Sequence, residues 1–286
     1  MIDIPREELF NPGHPACPGC GAAPSMRLAL KALGPKTMVV IPASCWSIIA
    51  GAHPSFSLEV PLLHTPFLSA AAAAAGLKAA LEAQGDQETL VMAWAGDGGT
   101  YDIGFQGLSG AAERRTDMLY VCYDNEAYMN TGGQRSSATP LGTQTSTTPG
   151  GKLEEKKDLL NIIVAHGASY VATATLAYSH DLLKKFRKAR DKKGFRFIHL
   201  LSPCPTGWGF PEDKTITMAR MAVESGAYHL MEWEGEGWQT TYHPSFQVKV
   251  EDYLQAQTRF AHLTGEELQE IARRTAEYWE RVSRSE

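Results

Sequence analysis

The chain has 286 residues, 43% of them hydrophobic and 21% charged, with a formal net charge of −5; that is enough apolar material for a substantial core, as one large or two small domains. No basic tract accompanies this balance, so neither nucleic acid nor an anionic membrane surface is an expected partner. The start, MIDIPREELFNPGHP, lacks a positive segment followed by an apolar one, and no apolar run reaches membrane-spanning length. A cytoplasmic location is therefore expected, with the five cysteines reduced, catalytic or metal-bound rather than paired as disulfides.

Pro15 to Gly21 places Cys17 and Cys20 at CxxC spacing in a Pro/Gly-rich turn, which lets both thiols face one metal centre. A zinc ribbon would want a second CxxC and a redox pair would want an adjacent strand; the sequence offers neither. Ser25 to Leu33 has helical periodicity and stops at Gly34-Pro35. Thr37 to Ile41 reads as a strand ending in Pro42-Ala43-Ser44-Cys45-Trp46, so Cys45 stands at a strand's carboxyl end. Leu58 to Pro61 and Leu62 to Thr65 read as a short strand and its exit, and Leu68 to Ala83 as an alanine-dense helix. A satisfied structural role is the default for His53 and His64, although His64, at a strand exit, is also a catalytic candidate.

Thr89 to Ala95 and Met118 to Tyr123 are apolar runs of strand length flanking a helical segment from Gly104 to Arg115, a βαβ unit. Cys122, inside the second run, reads as core. A long polar stretch, 136–152, is too extended for a turn and is expected to cover the site or contact a partner chain. Further elements are a helix over Lys156 to Ala165, a strand over Tyr170 to Ala174 and an amphipathic helix over Asp181 to Lys192 with a solvated basic face. The strand Phe195 to Leu201 ends in Ser202-Pro203-Cys204-Pro205. A helix over Lys214 to Ser225, a strand over Tyr228 to Trp233 and helices over Val250 to Ala261 and Thr264 to Val282 follow, the last opened by a capping box. The expected architecture is α/β, a mostly parallel sheet covered by helices on both faces, with 1–240 as the cofactor-binding domain and 241–286 as a helical C-terminal arm.

The chemistry concentrates in the two loops after the βαβ strands. Gly96, Gly98 and Gly99 let backbone approach a bulky anion, and Asp97 sets one carboxylate among them. A carboxylate repels a phosphate unless a cation lies between, so Asp97 implies Mg²⁺, with Asn125 and the Ala127 carbonyl as further oxygen ligands. Two ordinary turns are the plain alternative. Cys17, Cys20, Cys45 and Cys204, all in loops, form a donor set suited to a [4Fe–4S] cluster or to zinc; spacing alone leaves that choice open.

GDG followed by an Asn-containing loop resembles the thiamine-diphosphate fingerprint. The longer text GDGGTYDIGFQGLSGAAERRTDMLYVCYDNEAYMNTGGQRSSATP is similar to the β subunit, or β-like domain, of the 2-oxoacid:ferredoxin oxidoreductases, most closely the pyruvate branch. The resemblance runs from about Gly13 to Leu263. It implies a thiamine-diphosphate fold, with Cys45, Gly96, Asp97, Gly98, Gly99, Asn125, Glu126, Ala127, Tyr128, Met129, Asn130 and Thr131 around the cofactor. Asp97, Asn125 and Ala127 would hold Mg²⁺, the four cysteines a [4Fe–4S] cluster, and Asn130 would lie nearest the reacting carbons. Ala22 stands where the family often has Glu just after the CxxCG.

The implied reaction is oxidative decarboxylation of a 2-oxoacid, pyruvate first, with electrons passed singly to the cluster and on to ferredoxin and the acyl group to coenzyme A. The carboxylate that faces the aminopyrimidine ring comes, in that family, from an α chain. This chain is thus expected to need an α partner, with γ and δ ferredoxin-like subunits; Glu59 and Glu126 are the fallback carboxylates within it. Alternatives are a branched-chain 2-oxoacid or oxalate enzyme, a non-redox thiamine-dependent lyase or transferase half with structural zinc, and a non-catalytic scaffold.

Overall fold

Strands β1 (Thr37–Pro42), β3 (Leu90–Gly96), β4 (Met118–Asp124), β5 (Tyr170–Thr175) and β6 (Phe195–Leu201) are apolar along nearly their whole length and buried on both faces, the pattern a parallel sheet needs when helices cover it twice. The computed structural model describes residues 4–283. With β2 (Leu62–Thr65), β7 (Leu230–Trp233) and β8 (Trp238–Tyr242) the strands form one sheet in the order β2-β1-β3-β4-β6-β5-β7-β8. Pairing is parallel from β2 through β5 and antiparallel for β7 and β8.

Alternation sorts the side chains to two cores. Met92, Trp94, Leu119, Val121 and Tyr123 join α1 (Ala22–Leu33) and α6 (Ser179–Asp191) on one face. Val91, Ala93, Ala95, Tyr120 and Cys122 meet α3 (Ala70–Ala83), α4 (Phe105–Glu113) and α5 (Leu159–Ala165) on the other. The small alanine faces of α3 let it lie close to the strands. A third core joins Leu201, Trp208 and Met218 to Val250, Leu254, Phe260 and Leu268. It fastens α7 (Pro205–Trp208) and α8 (Thr215–Glu224) to α9 (Val250–Gln255) and α10 (Gly265–Ser283).

Several elements depart from expectation. Residues 58–61 form no strand; Leu58 makes only an isolated bridge to Phe10. The helix expected over Val250 to Ala261 ends at Gln255, and the buried Gln257 turns back to donate to the Tyr253 carbonyl at 2.8 Å. The helix expected from Lys156 begins at Leu159, because Asp158 caps it by accepting from the Asn161 N–H. Strand β8, the short helices α2 (Cys45–Ala50) and α7, and a wide π-helical turn over Gly98–Ile103 carry too little periodicity to be read in advance; π-turns of this kind gather at functional sites. No helix among the described residues is long and apolar enough to cross a membrane.

Candidate functional site

The chain leaves β1 for β2 on one side and returns to β3 on the other, and the crevice where order reverses is where open parallel sheets bind ligands. A cavity of about 240 Å³ lies there, lined by Ala43, Ser44 and Cys45 after β1, Gly96 to Gly99 after β3, Tyr123 to Thr131 (Asp124 and Glu126 excepted) after β4, and Phe67. Both polar loops named from the sequence therefore converge on one space, and Cys45 joins them. Asn130 is exposed at its rim. Gly98 admits the Tyr128 ring, since a Cβ there would overlap it; this glycine serves the packing of a neighbour as well as ligand approach.

Asp97 is buried, and burial, with Asp124 nearby, pushes its carboxyl well above the usual range. Such a group asks for a cation. Asn125 answers the geometry. Turned with its nitrogen inward, its amide donates to Asp97 Oδ1 at 3.1 Å and to the Ala127 carbonyl at 2.8 Å. Turned with its oxygen inward, the same two distances separate the Asn125 oxygen from Asp97 Oδ1 and from the Ala127 carbonyl, each close to the roughly 2.9 Å between adjacent ligands of an octahedral ion with 2.0–2.1 Å bonds. The other Asp97 oxygen, Oδ2, accepts from Ser136 Oγ, which leaves Oδ1 facing the Asn125 amide. Ser136 belongs to the long polar loop and escaped the sequence reading, as did Phe67 and Ser44; a single hydroxyl in a Ser/Thr-rich stretch gives no signal of its own.

Asp124, at the end of β4, works behind this site. Burial would raise its carboxyl, but Lys156 and His199 outweigh that and hold it down at about 2. His199 Nε2 lies 3.0 Å from Asp124 Oδ2 and its Nδ1 2.9 Å from the Tyr228 hydroxyl. Glu126 faces away from the cavity, gripped by Lys156 and Arg259. His64 also stands outside the lining, its Nε2 bonded to the Gly51 carbonyl at 2.8 Å. Glu59 bonds Asn11. Asp97 is thus the only carboxylate among the described residues lining the cavity.

The CxxC turn, the Cys45 turn and the Cys204 turn come together beside this cavity. Gly21 N–H donates to the Pro203 carbonyl at 3.3 Å, and Thr215 Oγ1 to the Gly19 carbonyl at 2.6 Å, pinning the first turn to the last. Burial pushes the Cys45 thiol up to about 12, with Cys204, Cys20 and Cys17 adding to the shift as anionic neighbours. Burial likewise raises Cys204 to about 11 and raises Cys20. Yet Cys204 Sγ accepts from the Gly207 N–H at 3.4 Å, Cys20 from those of Ala22 and Ala23, and Cys45 opens α2. Thiols held this way, at helix starts but short of charge compensation, suit a cationic centre that takes them as thiolates. Among the described residues no three His, Cys, Asp or Glu side chains close around a single ion. Cys122 is buried in the α3/α4 core, apart from this group.

A family model described as the C-terminal TPP-binding domain of thiamine pyrophosphate enzymes matches residues 51–200, which takes in both loops but none of the four clustered cysteines. The chain is 50% identical over 275 residues to pyruvate synthase subunit PorB of Methanothermobacter marburgensis, covering 94% of this chain and 96% of that one. It is 46% identical over 295 residues to ketoisovalerate oxidoreductase subunit VorB of Pyrococcus abyssi, covering 99% and 95%. Among solved structures, a 2-oxoglutarate:ferredoxin oxidoreductase from Magnetococcus marinus, with 2-oxoglutarate, coenzyme A and succinyl-CoA bound, matches with a TM-score of 0.62 and 28% identity over 71% of this chain and 69% of that one.

Proposed function

Because the chain belongs to the β-subunit family of the 2-oxoacid:ferredoxin oxidoreductases, we propose that it holds the diphosphate half of a thiamine diphosphate site and a [4Fe–4S] cluster beside it. The reaction is oxidative decarboxylation of a 2-oxoacid. Pyruvate is the leading substrate, in line with the PorB likeness, and a branched-chain 2-oxoacid is the second reading, favoured by the VorB likeness over nearly the full chain. The observation that carries the site is the convergence of Asp97 Oδ1, Asn125 and the Ala127 carbonyl at 2.8 and 3.1 Å.

In this reading Asp97, Asn125 and Ala127 hold Mg²⁺, and the π-turn from Gly98 brings backbone against the diphosphate. When bound, the thiamine supplies a nucleophilic carbon for the 2-oxoacid carbonyl and a sink for the electron pair released with CO₂. The protein's own part is orientation and electrostatics. Asp97 and Asn125 fix the charged end, Asn130 at the rim reaches toward the substrate side, and Cys17, Cys20, Cys45 and Cys204 hold the one-electron acceptor against the same cavity. Coenzyme A takes the acyl group and ferredoxin the electrons in the complex.

The cavity, at about 240 Å³, falls below the roughly 300–1,000 Å³ of complete small-molecule sites, and among the described residues no glutamate lines it. Both points support an α chain that completes the pocket with its own carboxylate; γ and δ ferredoxin-like subunits would carry electrons onward. Residues 1–240 form the cofactor domain in this proposal, with 241–286 as its arm. The test is Asp97→Ala in the assembled complex. Loss of a charge-assisted ligand worth about 1.5–3 kcal/mol should weaken Mg²⁺-dependent thiamine diphosphate binding by at least about tenfold in calorimetry. Unchanged affinity rules the site out.

A further inference from the structure

Glu126 sits between two of the three oxygen donors, in the left-handed region at φ 68°. A non-glycine residue stays there only where its surroundings overdetermine it. Both of its carboxylate oxygens are held, Oε1 by Lys156 Nζ and Oε2 by Arg259 Nη2. Lys156 is shared with Asp124 Oδ2, at 3.4 Å. Arg259 comes from the C-terminal arm, 133 residues away in sequence. It is buried, with its Nε donating to Gln257 Oε1 at 2.9 Å. Its guanidinium carbon stands 4.0 Å from the centre of the Trp208 ring, and Trp208 Nε1 donates to the Asn125 carbonyl at 2.8 Å. One guanidinium thus reaches the loop twice, through the Glu126 carboxylate and through the indole that holds the Asn125 peptide.

We propose that Arg259 is a positioning residue of the metal loop, holding Asn125 and Ala127 in register with Asp97. The inference rests on the reading of those three as Mg²⁺ ligands. A loop residue at positive φ has a lower-strain alternative at negative φ, and moving to it turns the peptides on either side of Glu126, parting the Asn125 amide from the Ala127 carbonyl. The two grips on Glu126 hold that alternative off. Without Arg259 only a fraction of molecules presents the three oxygens together, and apparent Mg²⁺ affinity falls by that fraction.

The experiment is a Mg²⁺ titration of thiamine diphosphate binding in the assembled complex. Arg259→Met keeps an apolar stem over Trp208 and removes the guanidinium. Its half-saturating Mg²⁺ should rise about tenfold, as for a competent fraction of roughly a tenth, while excess Mg²⁺ restores wild-type cofactor affinity and iron content stays unchanged. Arg259→Lys keeps the charge but cannot span Glu126 and Gln257 together, so it should fall between Met and wild type; it decides the matter where the Met variant does not assemble. Phe260→Leu loosens the same turn without touching Glu126 and should leave the titration unmoved. Wild-type half-saturation in a folded Arg259 variant overturns the inference, as does an equal shift in Phe260→Leu. Asp97→Ala separates the two levels: if it too leaves the Mg²⁺ dependence intact, the metal reading has failed, and if it alone abolishes that dependence, only the role of Arg259 has.

Discussion

Met129 packs into the space that Gly207 leaves: a Cβ at position 207 would overlap the Met129 thioether. Met129 lines the cofactor cavity, and the Gly207 N–H is the donor to Cys204 Sγ, so this contact joins the two proposed centres. Gly207→Ala should displace Met129 into the cavity or tilt α7 away from it. Thiamine diphosphate affinity should drop by about tenfold or more, the scale of an overpacking penalty of 1–3 kcal/mol. Calorimetry on the assembled complex checks this.

The four-cysteine assignment separates sharply from the fifth thiol. Cys45→Ser and Cys204→Ser should lose or convert the iron and acid-labile sulfide of the purified protein, whereas Cys122→Ser, deep in the α3/α4 core, should keep both. Metal and sulfide analysis of the three variants is the check. Full iron in Cys204→Ser would sink the ligand set, and zinc without sulfide in the wild type would favour the non-redox alternative.

Ser136 makes a narrower case. Its hydroxyl donates to Asp97 Oδ2, and a hydrogen bond to a charged group is worth about 1.5–3 kcal/mol. Ser136→Ala should leave Asp97 free to swing and raise half-saturating Mg²⁺ by about tenfold. A metal titration that superimposes on wild type would show the hydroxyl to be packing alone.

His229 supplies a pH test away from the site. Its ring stacks on Trp279, with centroids 4.6 Å apart, and its Nε2 has no hydrogen-bond partner among the described residues. Burial lowers its pKa from 6.5 to about 4, so the fold holds it neutral. As pH falls through 6.5 the unfolded chain takes up a proton that the folded one refuses, and stability is lost progressively until pH reaches about 4. The full loss is of order 3 kcal/mol. His229→Phe should flatten this part of the urea-denaturation profile between pH 7 and 5; an unchanged slope would assign the loss elsewhere.

Division of labour between chains gives the last prediction. Among the described residues Asp97 is the only acid lining the cavity, and Glu59 and Glu126 are both engaged elsewhere. The isolated chain should carry its cluster and release no CO₂ from pyruvate, and adding the α chain should restore turnover. CO₂ release by the chain alone at the rate of the complex would refute the split site.

What the sequence makes legible here is local. Asp97 with its glycines, and Asn125 through Thr131, are contiguous text after continuous apolar runs of strand length, and the carboxyl ends of such strands are where a parallel sheet keeps its site. Ser136 acts on Asp97, and Trp208 and Arg259 on the Asn125–Glu126 loop, from a distance in sequence, and nothing in their immediate neighbours marks them. Glu126 shows the limit well. It lies within the cofactor-binding run, yet its backbone turns its side chain out of the cavity toward two distant cations. His64 is similar, since a strand-exit histidine reads as site-facing until the Gly51 carbonyl is seen to take its ring. The helices at Cys45 and Cys204 are too short to carry a period, and they matter because of the N–H groups at their starts.

The grip on Glu126 also orders events during synthesis. At roughly 5–20 residues per second, a ribosome that has just added Glu126 needs on the order of ten seconds to reach Arg259. Cys17 likewise waits for Cys204, most of the chain later. Both centres therefore stay open on the nascent polypeptide even after the strands that frame them have emerged. On the proposed assignment, metal, thiamine and iron–sulfur delivery would be late events, acting on a nearly finished chain.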